Sequence, residues 1–363
     1  MNKISSKHFI LFILGTSIVS VKTYLSVFIN IGGRDTWLAS LIAGILFILF
    51  LLLIINIYKT TKTSDINEIF FKALPTPIAF IFMFLFLLAL FINSVECGAV
   101  EANVLHTTLF IDTPVWYALL FFLVPSLFIF TKKIRTVLIF VLICVSVFIL
   151  NALGFLLLSQ PYKDITYLLP VLGSGLNIDF FKTILLILGG LSSFMIAIPF
   201  FRFIDKNEHI NRHCLYSGTI TVVLIVISFV GAITAFGPIR AANIFYPEFV
   251  ISQRIQIAGF LEFGELFFIT QTVIGFFIKY VLSTYSILLI LEKHLKNKNI
   301  FIGIYTFLVF IFSNFLGINN FYLYNILKYI QIINIIIFIF IPLFIYIIFY
   351  FKFNKMKNTS KMN

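Results

Sequence analysis

Apolar residues fall in blocks of about twenty, the length that crosses the hydrocarbon core of a bilayer as an α-helix. Short polar or charged stretches divide one block from the next. Ten blocks can be placed, over residues 8–30, 36–58, 77–109, 114–131, 136–158, 181–203, 214–236, 264–291, 300–318 and 328–351. Each predicts a membrane helix, because a backbone in lipid must satisfy its own hydrogen bonds and a helix does so within one segment. Because apolar sequence recurs as far as the tenth block, the first is expected to be a retained helix rather than a cleaved signal.

Two blocks carry interruptions at matching places. The first holds Gly15, Thr16 and Ser17; the sixth holds "LGGLSSF", with Gly189, Gly190, Ser192 and Ser193. Ten helices divide as five plus five, and an odd-numbered unit is inverted when it is duplicated. Inverted repeats with broken helices are a transporter architecture, in which the broken ends hold the substrate through their partial charges. The pattern therefore predicts an all-α polytopic membrane protein of ten transmembrane helices, with a LeuT-like 5+5 inverted repeat and broken helices 1 and 6. It would form a single membrane domain over 1–363, with a first repeat over 1–158, an outer loop and second repeat over 159–351, and a basic tail over 352–363. Close helix packing through small residues is the competing reading of either cluster.

Composition agrees with the pattern. The chain has 363 residues, 61% hydrophobic and 11% charged, whereas a soluble domain is about a quarter charged. A net charge of +12 would suggest nucleic acid in a soluble protein. Here the basic residues sit in short loops, where they set orientation. Under the ten-helix count, 18 of the 26 Lys and Arg fall on the side of both termini. Only Arg34, Lys163, Arg240, Arg254 and Lys328 fall on the other, and Lys22, Lys182 and Lys279 lie within helices. Both termini are therefore expected to be cytoplasmic, and nucleic acid is not an expected partner.

Charges inside membrane helices are costly and usually face protein or water. At 100° per residue, Gly15, Val19, Lys22 and Ser26 share one stripe of the first helix. Asn93, Glu96, Val100, Asn103 and Thr107 share one stripe of the third, with Glu101 pointing away. Thr272, Gly275, Lys279, Ser283 and Ser286 share a stripe of the eighth. These stripes predict a polar interior in which Glu96 neutralises Lys22 or Lys279. The pair either locks the helices together or serves a ligand or a coupling cation. The candidate ligand-binding residues are Gly15, Thr16, Ser17, Asn93, Glu96, Gly189, Gly190, Ser192 and Ser193; the candidate coupling charges are Lys22, Glu96 and Lys279. His106, near an outer helix end, reads as a satisfied polar residue.

Two outer loops are long, 159–180 and 237–263, and the second has enough apolar residues for a short interfacial helix. Either a vestibule lid or an ordinary surface loop fits them. Phosphate-binding loops, zinc spacings and nucleophile elbows are absent from the sequence. Cys97, Cys144 and Cys214 form no spaced framework. An enzyme, a metal and a cofactor are therefore not expected.

Two stretches carry a resemblance. "GGRDTWLASLIAGI", from Gly32, resembles a Gly-x-Asp-x-Trp pattern, and "GFLEFGELFFITQTVIGFFIKYVLSTYS", from Gly259, resembles a Phe-x-Glu-Arg stretch leading into a helix that ends Lys-x-Ser. Both patterns are those of the spore germination permease family, the B subunits of endospore germinant receptors (GerAB/GerKB type), a distant branch of the amino acid–polyamine–organocation superfamily. Glu262, Lys279 and Tyr285 fit the pattern; Phe263 stands where Arg is expected, and Gln271 near an expected Trp. The resemblance implies a subunit of the spore inner membrane that binds a nutrient germinant, typically an amino acid. It would act with an A-type membrane subunit and a C-type lipoprotein, upstream of ion and dipicolinate release and cortex hydrolysis. Two alternatives keep the same fold: a stand-alone secondary amino acid transporter, and a scaffold subunit with a degenerate pocket.

Overall fold

The computed structural model describes residues 5–173, 175–203, 209–256 and 263–362. Glu262, named above, lies outside them, as does part of the second long outer loop. Helix is the only regular structure among the described residues. The helices are α1 Ser6–Ser17, α2 Val19–Lys22, α3 Leu25–Gly32, α4 Thr36–Thr61, α5 Ile66–Ala73, α6 Thr76–Thr108, α7 Val115–Phe130 and α8 Ile134–Leu158. They continue as α9 Ile178–Leu191, α10 Ile210–Phe236, α11 Pro238–Asn243, α12 Pro247–Ser252, α13 Glu265–Ile290, α14 Lys298–Gly317, α15 Asn320–Ile335 and α16 Ile341–Met362. Eight helical stretches are long and apolar enough to cross a membrane, and the shorter apolar stretches Ile10–Lys22 and Val115–Phe130 add to them. Those two shorter stretches fall in the first and fourth predicted blocks.

Helix boundaries follow from local chemistry. Asp65, Asn177, Asn297 and Asn319 each precede a helix and accept a hydrogen bond from its first backbone N–H groups, the satisfaction that an N-cap provides. Pro77, Pro238 and Pro247 sit in first turns, where a missing N–H is no loss. Between α3 and α4 the chain redirects through Gly33, whose φ of +58° suits a residue without Cβ.

Three departures from the sequence reading matter. The loop after α4 contains α5, whose buried Ile66, Ile69, Phe70 and Ala73 line one face. The described part of the second long outer loop, read as able to form one short interfacial helix, holds two, α11 and α12. The basic segment expected as a tail continues the last helix to Met362.

Ile178–Phe203 lies at the centre, with 94% of its apolar window buried. By contrast, Phe84, Phe121, Leu150 and Phe307 on α6, α7, α8 and α14 are each more than half exposed. Apolar side chains facing outward on long helices suit a lipid surround.

Candidate functional site

The first predicted helix is three pieces. α1 stops at Ser17, α2 is a single turn, and Tyr24 leaves helical geometry with φ −117° and ψ 54° before α3 begins. The sixth is also broken: α9 ends at Leu191, and Ser192–Phe203 continues in the tighter 3₁₀ form, with Pro199 inside it. Such a long 3₁₀ run inside an apolar segment marks a hinge or a site under strain. Both breaks fall beside the small polar clusters.

A connected set of buried polar groups surrounds α2. Lys279 Nζ on α13 lies 2.8 Å from Glu96 Oε2 on α6, both side chains fully buried. The same ammonium donates to Ser20 Oγ on α2 at 2.5 Å. Glu96 Oε1 accepts from the Tyr24 hydroxyl at 2.6 Å, and that hydroxyl accepts from Gln331 Nε2 on α15 at 2.8 Å. One turn before Glu96, Asn93 donates to Asn334 Oδ1 at 2.8 Å and accepts from Ser193 Oγ at 3.4 Å. Five segments thus meet at one carboxylate and its neighbours: α2, α6, α13, α15 and the start of the 3₁₀ run. A buried ion pair is tolerable only when further hydrogen bonds satisfy its remaining atoms, and Ser20 and Tyr24 do so here.

A second ion pair lies beside it. Lys22 Nζ is 2.9 Å from Glu248 Oε2 on α12, with both side chains almost buried. It also donates to Gln271 Oε1 on α13, whose amide donates to Asn151 Oδ1 at 2.9 Å. A small cavity of about 30 Å³ adjoins the pair, lined also by Phe155, Lys163 and Gly231. Burial pushes the Lys163 ammonium below the usual lysine range; Glu248 partly opposes this, and Lys22 adds to it.

The sequence-predicted residues separate into those that converge and those that do not. Asn93, Glu96, Ser193 and Lys279 belong to the connected set. Gly190 faces it: a Cβ there would meet Val21 Cγ2 at 2.5 Å and Gln331 Oε1 at 3.3 Å. Gly189 instead permits close backbone packing, since its Cβ would lie 2.2 Å from the Gln331 carbonyl oxygen. Gly15 packs on Ile278 and Val145. Thr16 and Ser192 bond back to carbonyls of their own helices. Ser17 is buried, its Oγ without a partner among the described residues.

The stripe through Gly15, Val19 and Lys22 holds across the break. It runs along α13 past Ile278, Gly275 and Gln271 in turn. Its charge, however, finds Glu248 rather than Glu96. Among residues outside the sequence reading, Ser20, Tyr24, Asn151, Glu248, Gln331 and Asn334 complete the two networks. The polar pair Gln331 and Asn334, one turn apart in an otherwise apolar block, was the readable signal for the last two. His106 Nδ1 donates locally to Thr113 O, 2.8 Å away. No group of three or more His, Cys, Asp or Glu among the described residues is placed to hold a metal.

The family model described as "Spore germination protein" matches residues 3–322. The chain belongs to the spore germination permease family. The match takes in α1 to α14, both breaks and both buried ion pairs, and it ends before Gln331 and Asn334. A comparison with curated proteins finds no match. Family membership and the eight long apolar helices make this a multi-pass membrane protein with a permease-like role in spore germination.

Proposed function

We propose that the chain is the germinant-binding B-type subunit of a spore germinant receptor. It takes a small nutrient, an amino acid in the first instance, in a transporter-like pocket between the broken helices. The observation that carries this reading is the convergence of both helix breaks on one buried polar centre within a permease-family chain. Broken ends with polar neighbours are where such folds hold small charged substrates. The α-amino and carboxylate groups of an amino acid match the partial charges of the ends at Ser17–Val19 and Leu191–Ser193.

The helix packing supports ten spans in two inverted halves. Number the ten predicted spans, advance each by five, and several of the contacts recur. α4 on α9 has its counterpart in α10 on α1; α8 on α13 in α15 on α6; α8 on α1 in α15 on α9; and α7 on α13 in α14 on α6. In this reading the termini are cytoplasmic, the membrane is the spore inner membrane, and binding signals through A-type and C-type partner subunits. A ligand shifts the arrangement of the halves only through its differential affinity for them.

The test uses Gly190→Ala and Ser193→Ala in the native spore former. Germination is titrated against a panel of amino acids, with subunit levels followed by immunoblot. A displaced half-maximal concentration for one amino acid at normal protein levels is expected. Unchanged responses at normal levels would overturn the pocket and favour the scaffold reading. Uptake of that amino acid into vesicles carrying this chain alone would favour the transporter.

A further inference from the structure

At the end of the bundle opposite the Lys22–Glu248 pair lies a cavity of about 810 Å³. Four cations line it: Lys132 and Lys133 between α7 and α8, Arg202 in the 3₁₀ run, and Lys298 at the start of α14. One acid, Glu292, lines it too and pairs with Arg202 at 2.6 Å. Among the described residues the cavity therefore keeps an excess of three positive charges. The helix α8, whose N-terminus has no side-chain cap, also begins at its wall, and its free N–H groups favour an anion. Tyr285 and Leu289 make the rest of the wall apolar.

The cations are held differently. Lys298 Nζ donates to the Phe130 carbonyl at 3.2 Å and sits 5.4 Å from the centre of the Tyr285 ring. Lys132 lies over the Phe128 ring at 3.8 Å. Among the described residues, Lys133 has no ion pair and the Arg202 Nε is buried without a partner. Lys132 and Lys133 are thus left, among the described residues, with neither an acid nor a carbonyl to engage their charge. A cavity that is cationic at the mouth and apolar along the wall fits an amphiphile better than a small ion. Basic pockets between membrane helices are lipid headgroup sites in general.

We propose that this cavity binds the phosphate headgroup of an anionic phospholipid, with its glycerol and upper acyl segments against Leu289 and Tyr285. The site stands apart from the germinant pocket, so neither proposal depends on the other. Purified full-length protein is placed in nanodiscs of phosphatidylcholine carrying a small fraction of spin-labelled phosphatidylglycerol, and immobilised label is measured. Each cation removed is expected to lower the apparent affinity about fivefold, and both lysines together about thirtyfold. The variants are Lys133→Gln and the double variant Lys132→Gln/Lys133→Gln, with the unfolding midpoint in pure phosphatidylcholine confirming that the fold is intact. Equal immobilisation in wild type and in the single variant Lys133→Gln, whose side chain bonds no other described residue, would overturn the site. Complete displacement of the label by about 10 mM inorganic phosphate would overturn the lipid assignment in favour of a soluble anion, since a headgroup anchored by its chains resists such competition.

Discussion

Glu96→Gln provides a severe test of the buried centre. The substitution keeps the shape and an acceptor for Tyr24, but it leaves the Lys279 ammonium at a site with no exposure. At 2.8 Å the pair attracts with a gross energy of about 6 kcal/mol at an effective dielectric constant of about 20. Desolvation offsets much of that in the intact pair, so the pair itself adds little net stability. Breaking it is different. Removing one partner is expected to lower stability by about 3–5 kcal/mol, because the other charge stays buried and uncompensated. Lys279→Met is expected to do the same. The double variant Glu96→Gln/Lys279→Met removes both charges and is expected to lose less than the larger single loss. The assay is equilibrium unfolding of the purified proteins in one detergent, with the coupling taken from the four-protein cycle. Losses that add to within about 0.5 kcal/mol would refute the pairing, as would a Glu96→Gln protein as stable as wild type.

Three further outcomes are expected. Gly189→Ala places a Cβ 2.2 Å from the Gln331 carbonyl and must part α9 from α15, costing about 1–3 kcal/mol; Gly303→Ala meets nothing within 4 Å and gains up to about 1 kcal/mol of helix propensity. Unfolding midpoints compare the two. Glu248→Gln weakens the hold on α12 by about 2 kcal/mol, so amide exchange over Pro247–Ser252 accelerates some thirtyfold while α13 is unchanged; equal exchange would contradict it. The lowered Lys163 value means that the unfolded chain binds more protons than the native one between that value and the usual lysine value of about 10.4, so stability rises with pH across that window. Lys163→Gln is expected to flatten this slope in unfolding titrations.

What the sequence revealed was set by what can be seen along one segment. The apolar blocks were legible because lipid demands internally bonded helices of a given length. The break beside Leu191 was legible too, since two glycines and two serines announce it. The break at Tyr24 was not. No glycine or proline marks it, and the non-helical turn is accompanied by contacts to Glu96 and Gln331, which lie far away in the chain. The choice of partner for Lys22 was hidden in the same way, 226 residues off in a loop. The Gly15 stripe survived a helix break because α13 runs antiparallel along it, a regularity that the 3.6-residue period captured without knowing the neighbour. The small helix α5 was hidden because it is far shorter than a membrane span, whereas the apolar residues of the 237–263 loop announced a short helix there but not its division into α11 and α12.

The turn Val19–Lys22 is pinned to α13 at two points, Ser20 to Lys279 and Lys22 to Gln271. The two anchor residues are eight positions apart, about 12 Å along the axis. Set off by the bend at Ile18 and the non-helical Tyr24, and fastened twice to the same rod, the turn is placed as a crank on a shaft. α13 has 26 residues, about 39 Å of stiff helix, and its far end reaches Tyr285 and Leu289 at the basic cavity. In the proposed function, a molecule that seats against this crank would load one end of a stiff shaft whose other end lies at the opposite side of the bundle, a signal that needs no passage across the bilayer.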